Sequence, residues 1–161
     1  DSNIFTLDDP ELHRYPVAYM SEPGFWTLTE AEAEGLRNYL AKGGFLIFDD
    51  FRDWHIENFE MQLHRVLPNA QLVQLNENHS VYKDAFFRMK DLNFGAPYGS
   101  QPIYLGVFED NDPTKRMYAI ANFQNDLSEY WEFSETGWKP VEENNEAYKF
   151  GVNEFIYGLT H

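Results

Sequence analysis

The sequence predicts an α/β fold: a three-layer α/β/α sandwich around a mostly parallel sheet, with a late antiparallel hairpin. Two observations predict it. Short apolar segments alternate with segments of helical periodicity, which is the pattern of strand–helix–strand units in a parallel sheet. One of these segments, Phe45–Phe48, is apolar at every position, as expected for a strand covered on both faces. The alternative is an α+β fold with a smaller mixed sheet.

The first half of the chain supplies three strands, expected to run parallel, and two helices. Thr29 and Glu32 form a capping box that begins the first helix. Gly43 follows that helix, where glycine easily adopts the left-handed conformation of a C-cap. In order, the expected elements are strand Tyr15–Met20, the helix after Thr29, strand Phe45–Phe48 ended by Asp49 and Asp50, helix Ile56–Leu67 and strand Gln71–Leu75.

The second half supplies the hairpin and a final helix. Asp110–Pro113 has the composition of a tight turn between two strands. The expected elements are a short helix at Val81–Phe87, a loop at Asp91–Pro102, strands Ile103–Glu109 and Met117–Asn122, a mostly irregular segment at Asp126–Pro140 and a helix at Asn145–Thr160.

Composition limits the function. The 161 residues include 12 Lys and Arg against 27 Asp and Glu, a net charge of −15, and no cysteine. The length suits a single domain over residues 1–161. So acidic a chain repels phosphate backbones, which argues against nucleic acid as a partner. Apolar stretches such as Gly43–Phe48 are far shorter than the ~20 residues of a membrane span, so no membrane insertion is expected in this segment.

Polar side chains follow the predicted strands at their carboxyl ends, where open α/β sheets bind ligands. Such side chains suit Mg²⁺ or Ca²⁺, and a histidine would allow Mn²⁺ or Zn²⁺. No cofactor is expected beyond such a divalent cation, and its candidate ligands are Asp49, Asp50 and Asp126. The full set of ligand-binding candidates is Asp49, Asp50, His79, Asn122, Asn125, Asp126, Trp131 and Glu132.

Each of these residues also has a structural interpretation. Asp50 could cap a turn, His79 could begin the short helix, and Asn125-Asp126 has turn-forming chemistry. Close carboxylates repel one another unless a cation or a hydrogen-bond donor compensates. We therefore expect Asp49 or Asp50, with Asp126, to form a polar cluster rather than a tight metal site. The expected nearby donors are Arg52, His79, Asn122, Asn125 and Trp131.

The four tryptophans fall in predicted loops or at the edges of elements. They are Trp26, Trp54, Trp131 and Trp138. Tryptophans in such positions can stack on sugar rings, or they can cover the sheet edges and supply core area. The first interpretation makes the chain a sugar-binding module.

A set of segments spans nearly the whole chain in a characteristic order. The set comprises Tyr15–Tyr19, Leu36–Leu40, Gly43–Phe51, Asn78–Tyr82, Asn125-Asp126 with Trp131-Glu132, and Gly151–His161. Together these segments resemble the bacterial domain-of-unknown-function family 4159.

The resemblance implies a class I glutamine-amidotransferase-like, flavodoxin-like domain, in agreement with the predicted sheet. It also implies a periplasmic or secreted protein of the bacterial envelope, here without an N-terminal segment of the full-length protein. It places Asp49, Asp50, His79, Asn125, Asp126, Trp131 and Glu132 in family motifs and brings no established activity. Leu127–Tyr130 departs from the family, which often has Gly-Asp at that point.

True amidotransferases need a cysteine nucleophile, and this chain has none, which excludes glutamine hydrolysis by the usual route. The first functional hypothesis is therefore a non-catalytic amidotransferase-like binding or interaction module of the bacterial envelope, with an envelope protein or a carbohydrate as its partner. The alternative is a metal-dependent hydrolase that acts on carbohydrate or cell-wall material through the acidic residues at the strand ends.

Overall fold

The computed structural model describes residues 3–93 and 99–161. Five strands form one sheet: β1 (Val17–Ser21), β2 (Phe45–Phe51), β3 (Leu72–Gln74), β4 (Ile103–Phe108) and β5 (Met117–Phe123). The helices are α1 (Glu30–Ala41), α2 (His55–Val66), α3 (Ser80–Lys83), α4 (Leu127–Glu132) and α5 (Val141–Thr160). Of the loop expected at Asp91–Pro102, residues 94–98 lie outside the described part of the chain.

The strand order is β1-β2-β5-β4-β3. Strand β2 pairs in parallel with β1 on one side and with β5 on the other. Strand β4 is antiparallel to both β5 and β3, so four of the five strands run in one direction. The predicted hairpin is confirmed as β4–β5. Strand β3 shares the direction of β1 and β2, as expected, but lies at the far edge and pairs only with β4.

The helices divide between two hydrophobic cores on opposite faces of the sheet. Residues 45–48 of β2 are all buried, which confirms the prediction from their apolar run. Leu46 and Phe48 face the core formed by α1 and α2, whereas Phe45 and Ile47 face the core formed by α3, α4 and α5. Side chains alternate between faces along a strand, so one apolar run supplies both cores.

The predicted ends of helix α1 are confirmed. The Thr29 hydroxyl accepts from the Glu32 N–H, and the Glu32 carboxylate accepts from the Thr29 N–H at 2.8 Å. After the helix, Gly43 has a φ of 111°, which side chains with a Cβ rarely adopt. Gly44 follows because the Tyr39 ring lies where its Cβ would be, only 2.4 Å from that position.

Two predictions of local structure were wrong. Asp49 and Asp50 do not end β2, which continues to Phe51. The segment Asp126–Pro140 is not mostly irregular, since α4 occupies Leu127–Glu132. The signal for this helix was the N-cap residue Asp126, whose side chain accepts from the Glu129 N–H.

Smaller differences concern helix lengths and the membrane. Helix α3 ends at Lys83 rather than Phe87, and α5 begins at Val141, directly after Pro140. In residues 3–93 and 99–161, no helix combines the length and the apolar character needed to cross a membrane.

We predict that Thr29→Ala destabilises the protein by about 1 kcal/mol, because it leaves the first-turn N–H groups of α1 without their acceptor. Equilibrium urea unfolding measures the change. Glu34→Ala is the control on the same helix, since Glu34 is exposed and outside the capping box. An equal loss of stability in the two variants would contradict the role of the cap.

Candidate functional site

Polar side chains gather near the carboxyl end of the parallel strands, on the face covered by α4 and α5. Register and alternation place Tyr19 of β1 and Asp49 of β2 on this face. Asn122 of β5 lies on the same face, and Asp49 and Asn122 are both fully buried. We call the group formed by Tyr19, Asp49, Asn122, Ser128 and Glu154 the carboxyl-edge cluster.

The Asp49 carboxylate joins three elements. Its Oδ2 accepts from the Tyr19 hydroxyl at 2.6 Å and from the Ser128 N–H of α4 at 2.9 Å. Burial raises the pKa of Asp49 to about 6, although these donors act in the opposite direction. Burial raises the pKa of Tyr19 as well, and the neighbouring Asp49 carboxylate raises it further. Tyr19 therefore stays a hydrogen-bond donor to Asp49.

Glu154 of α5 is the second buried acid of the cluster. It is fully buried, and its Oε2 accepts from Asn122 Nδ2 at 3.2 Å. Burial raises the pKa of Glu154 well above its usual range, and the Asp49 carboxylate adds to the rise. The raised pKa favours the neutral form of Glu154, and the hydrogen bond from Asn122 fastens α5 to β5.

Several buried polar atoms of the cluster are left without a hydrogen bond. Within the described part of the chain, Asp49 Oδ1, Asn122 Oδ1 and Glu154 Oε1 find no partner. The hydroxyl of the neighbouring Tyr82, whose pKa is raised by burial and further by Glu154, also finds no partner in the described part of the chain. A proton on Glu154 or an internal water would supply the missing donor. Because Asp49 and Glu154 are closed to solvent, a substrate could reach them only if α4 or α5 moved.

The predicted turn residues after β5 are structural. Asp126 caps α4 by accepting from the Glu129 N–H at 2.9 Å and from Ser128 Oγ at 2.7 Å. Asn125 donates to the Tyr104 hydroxyl at 3.2 Å. Asp49 and Asp126 are joined through Ser128, whose N–H donates to Asp49 and whose hydroxyl donates to Asp126. Asp49 accepts from Tyr19 and Ser128, two donors that the sequence analysis did not name.

His79 lies elsewhere. It is the N-cap of α3, where its Nδ1 accepts from the Val81 N–H at 3.3 Å. Its ring packs against Phe108 and Tyr157, at centroid distances of 5.6 and 5.8 Å. Phe108 pairs with Met117 at the beginning of β5, so His79 lies toward the opposite end of the sheet from Asn122. The chain after β3 turns back over the sheet, and it takes His79 away from Asp49 and Asp126.

The backbone at this edge adopts the left-handed conformation at non-glycine residues. Glu22 and Gln124 directly follow β1 and β5, with φ values of 54° and 61°, and Asp50, the last residue but one of β2, has a φ of 60°. The Glu22 N–H donates to Asp49 O at 3.0 Å, and the Gln124 N–H donates to Phe51 O at 2.9 Å. Residues held in this region cost about 1–3 kcal/mol each and cluster at functional sites. No local sequence pattern predicted these conformations.

The tryptophans divide between core and surface. Trp26 belongs to the core, stacked on Phe59 at 5.8 Å. Trp131 is half-buried beside Tyr19, and Glu132 is exposed at the end of α4. Trp138 is exposed, with the Lys139 ammonium 4.8 Å from its ring.

Trp54 is the tryptophan exposed at the carboxyl edge. It is 62% exposed and contacts Phe25, itself 59% exposed, at 5.9 Å. Both rings pack around His55, at 4.5 and 4.4 Å. Phe25 was missed because a single aromatic residue in a loop has no periodic signal.

The acidic residues at this edge do not form a ready metal centre. Among the residues that the structure describes, no group of three or more His, Asp or Glu side chains is placed to bind one ion. At Glu129, burial raises the pKa and the Asp126 and Asp50 carboxylates raise it further.

The buried acids predict a pH dependence. A carboxyl group with a raised pKa binds its proton more tightly in the folded state, so its stabilisation is complete below the unfolded-state pKa. That stabilisation is lost as the pH rises through the folded-state pKa. For Asp49 the loss therefore occurs between pH 3.8 and about pH 6. For Glu154 the loss extends further upward. We predict that the free energy of unfolding of Glu154→Gln, taken relative to the wild type, is about 1–3 kcal/mol higher at pH 8 than at pH 5.

Urea unfolding at both pH values measures this gain. Glu34→Gln is the matched control, because it removes the same carboxylate from an exposed position of α1. A Glu154→Gln difference that is the same at pH 5 and pH 8 would contradict a neutral Glu154.

Comparison with known proteins identifies a family and leaves the activity open. The family described as Domain of unknown function (DUF4159) matches residues 1–159 of the 161. No curated protein sequence matches the chain. Because the family match covers almost the entire sequence, the chain belongs to the DUF4159 family.

Proposed function

We propose that this chain is a non-catalytic binding module of the bacterial envelope, with a class I glutamine-amidotransferase-like, flavodoxin-like three-layer arrangement. The two cores on opposite faces of the sheet support that arrangement. The absence of cysteine from the sequence argues against amidotransferase chemistry. The burial of Asp49 and Glu154 argues against acid–base catalysis, since neither meets solvent.

The observation that supports a binding role best is the coincidence of backbone strain and exposed aromatic rings at the carboxyl edge. Three neighbouring strands have left-handed residues there: Glu22, Asp50 and Gln124. Phe25 and Trp54 are exposed beside two of them. Ligands of open α/β sheets bind at this edge, and strain persists where a site needs a fixed shape.

The chemistry of the edge suits a neutral carbohydrate. Trp54 and Phe25 offer ring surface to the apolar face of a sugar. The carboxylates of Glu22, Asp50 and Asp53, all in left-handed segments nearby, can accept from sugar hydroxyls. The charge of −15 repels anionic saccharides, so a neutral glycan is favoured over a charged one.

A protein partner is the other ligand class, and α5 supports it. Its solvent-facing side exposes an apolar stripe at helical spacing: Tyr148, Val152, Phe155 and Leu159. Exposed apolar patches of this kind mark interaction sites. Because a second copy also has a charge of −15, a basic partner fits better than self-association. Sedimentation would show a dimer that is lost in Phe155→Ser if the partner were instead a second copy.

A metal-dependent hydrolase is the second candidate function. It is favoured by the proximity of three carboxylates, since Asp50 and Asp126 lie close enough to Glu129 to raise its pKa. Such a group of oxygens attracts divalent cations. Asp126 is already engaged in capping α4, which weakens this candidate.

We predict that Trp54→Ala lowers the affinity for N-acetylglucosamine oligomers by about tenfold or more, because an exposed stacking residue is lost from the centre of the site. Isothermal titration calorimetry measures the binding. Trp138→Ala is the matched control, since Trp138 is also exposed but packs against Tyr130 and Phe133 rather than against Phe25. Equal losses in both variants, or no binding by the wild type, would sink the carbohydrate proposal.

The hydrolase is tested by thermal melts with millimolar Mg²⁺, Ca²⁺ or Mn²⁺, or micromolar Zn²⁺. Binding only to the folded state at a hundred times Kd would add about 2.7 kcal/mol, several degrees in Tm for a domain of this size. We predict no metal-specific shift. A shift that disappears in both Asp50→Asn and Glu129→Gln would instead establish a metal site and favour the hydrolase.

A further inference from the structure

We propose that the opposite edge of the sheet has a second binding site, a cationic pocket for the oxyanion head of a small molecule. A cavity of about 280 Å³ opens there. Its walls combine positive side chains with two tyrosine rings and a glycine pair. The lining residues used here are His13, Arg14, Tyr15, Tyr39, Lys42 and Gly44.

The pocket is built where three segments meet. A short 3₁₀ helix, Pro10–Arg14, ends with His13 and Arg14 just before β1. Lys42 follows helix α1, and the left-handed Gly43 turns the chain into β2. The Phe45 N–H donates to Pro16 O at 2.9 Å, which joins the two strand entries. The pocket therefore lies at the amino ends of β1 and β2, away from the carboxyl-edge cluster.

The charge of this cavity is opposite to that of the chain. The sequence has only 12 Lys and Arg and 5 His, yet Arg14, Lys42 and His13 line one cavity. A further guanidinium is adjacent, because Arg116 donates to Gly44 O at 2.7 Å. Lys42 forms no ion pair with any of the residues that the structure describes. Converging cations in an acidic protein point to an anionic ligand.

One carboxylate faces the pocket cations. Glu11 pairs with Arg14 at 2.7 Å, with 74% of the Arg14 side chain and 58% of the Glu11 side chain exposed. Ion pairs this exposed contribute little, so Arg14 can turn to a ligand at small cost.

Helix capping explains only part of this arrangement. Cations stabilise the carbonyl end of a helix, and both Lys42 and Arg116 lie at the end of α1, where Arg116 donates to Leu40 O at 2.8 Å. His13 and Arg14 belong to a different segment, and that helix end does not require them. Helix capping therefore does not explain why His13 and Arg14 lie with Lys42 around one cavity.

The shape of the cavity limits the ligand. A volume of about 280 Å³ is just below the range of drug-sized sites, which suits a small organic body with one charged head. Tyr39 is buried and its hydroxyl donates to Phe45 O at 3.2 Å, so the half-buried Tyr15 is the aromatic ring that a ligand can reach. Guanidinium, ammonium and imidazolium groups all bind phosphate and carboxylate oxygens. The shared chemistry is therefore an oxyanion attached to a small, partly apolar molecule.

Titration with phenyl phosphate, benzoate and phenol at physiological ionic strength tests the site. Calorimetry gives the affinity, and the amide NMR signals of Gly43 and Gly44 locate the binding. We expect saturable binding of phenyl phosphate, benzoate or both, with shifts at these glycines, and none with phenol. The stronger of the two anions identifies the head group as phosphate or carboxylate.

Variants of the pocket residues provide the second test. Arg14→Gln and Lys42→Gln should each weaken binding by about tenfold, the effect of losing one charge-assisted hydrogen bond, while Lys42→Arg retains it. Lys149→Gln is the matched control, because it removes one charge from an exposed position of α5. Thermal melts confirm that the variants are folded. Failure of both anions to bind at millimolar concentration, or equal binding by all variants, would overturn the proposal.

Discussion

The rest of the structure depends on the burial of one carboxyl group. Asp49 lies near the carboxyl end of the interior strand β2 with no exposure to solvent, and a buried carboxyl group must be hydrogen-bonded or protonated. The Tyr19 hydroxyl reaches it from β1 and the Ser128 N–H reaches it from α4. Meeting this one requirement fixes β1, β2 and α4 relative to one another. Glu154 extends the same logic to α5, since its bond from Asn122 joins that helix to β5.

Features encoded in adjacent residues, such as helix caps and apolar strands, could be predicted from the sequence. The strand order could not, because it depends on pairing between distant segments. The capping box at Thr29 and the apolar run at Phe45–Phe48 are written in adjacent residues, and both predictions are confirmed. The position of β5 between β2 and β4 depends on contacts across more than 70 residues, which no local pattern encodes. Helix α4 was missed because it has six residues and buries only Leu127 and Tyr130, too few to show a period.

Residues of the candidate site were predicted where a polar side chain interrupts an apolar strand. Site residues without such a contrast to their neighbours were missed. Asp49 and Asn122 stand directly after or within buried strands, so their polarity was conspicuous. Glu154 lies on a helix rich in glutamate, and only the docking of α5 shows that this one faces the sheet. Tyr19 was assigned to a strand, and its hydroxyl acquires a role only once β1 lies beside β2. The chain reverses direction after β3 and carries His79 away from the site, and no local pattern around His79 predicts this reversal.

The buried cluster and the strained outer edge are two sides of one segment. Residues 49–51 bind Tyr19 and Ser128 through the Asp49 side chain on the inner side. On the outer side, their carbonyl groups hold the left-handed Glu22 and Gln124 through backbone hydrogen bonds. A left-handed residue persists only when its surroundings fix it more strongly than the strain opposes it. The inner bonds supply that rigidity, so the same burial that closes Asp49 to chemistry also holds the edge in the shape that a ligand would meet.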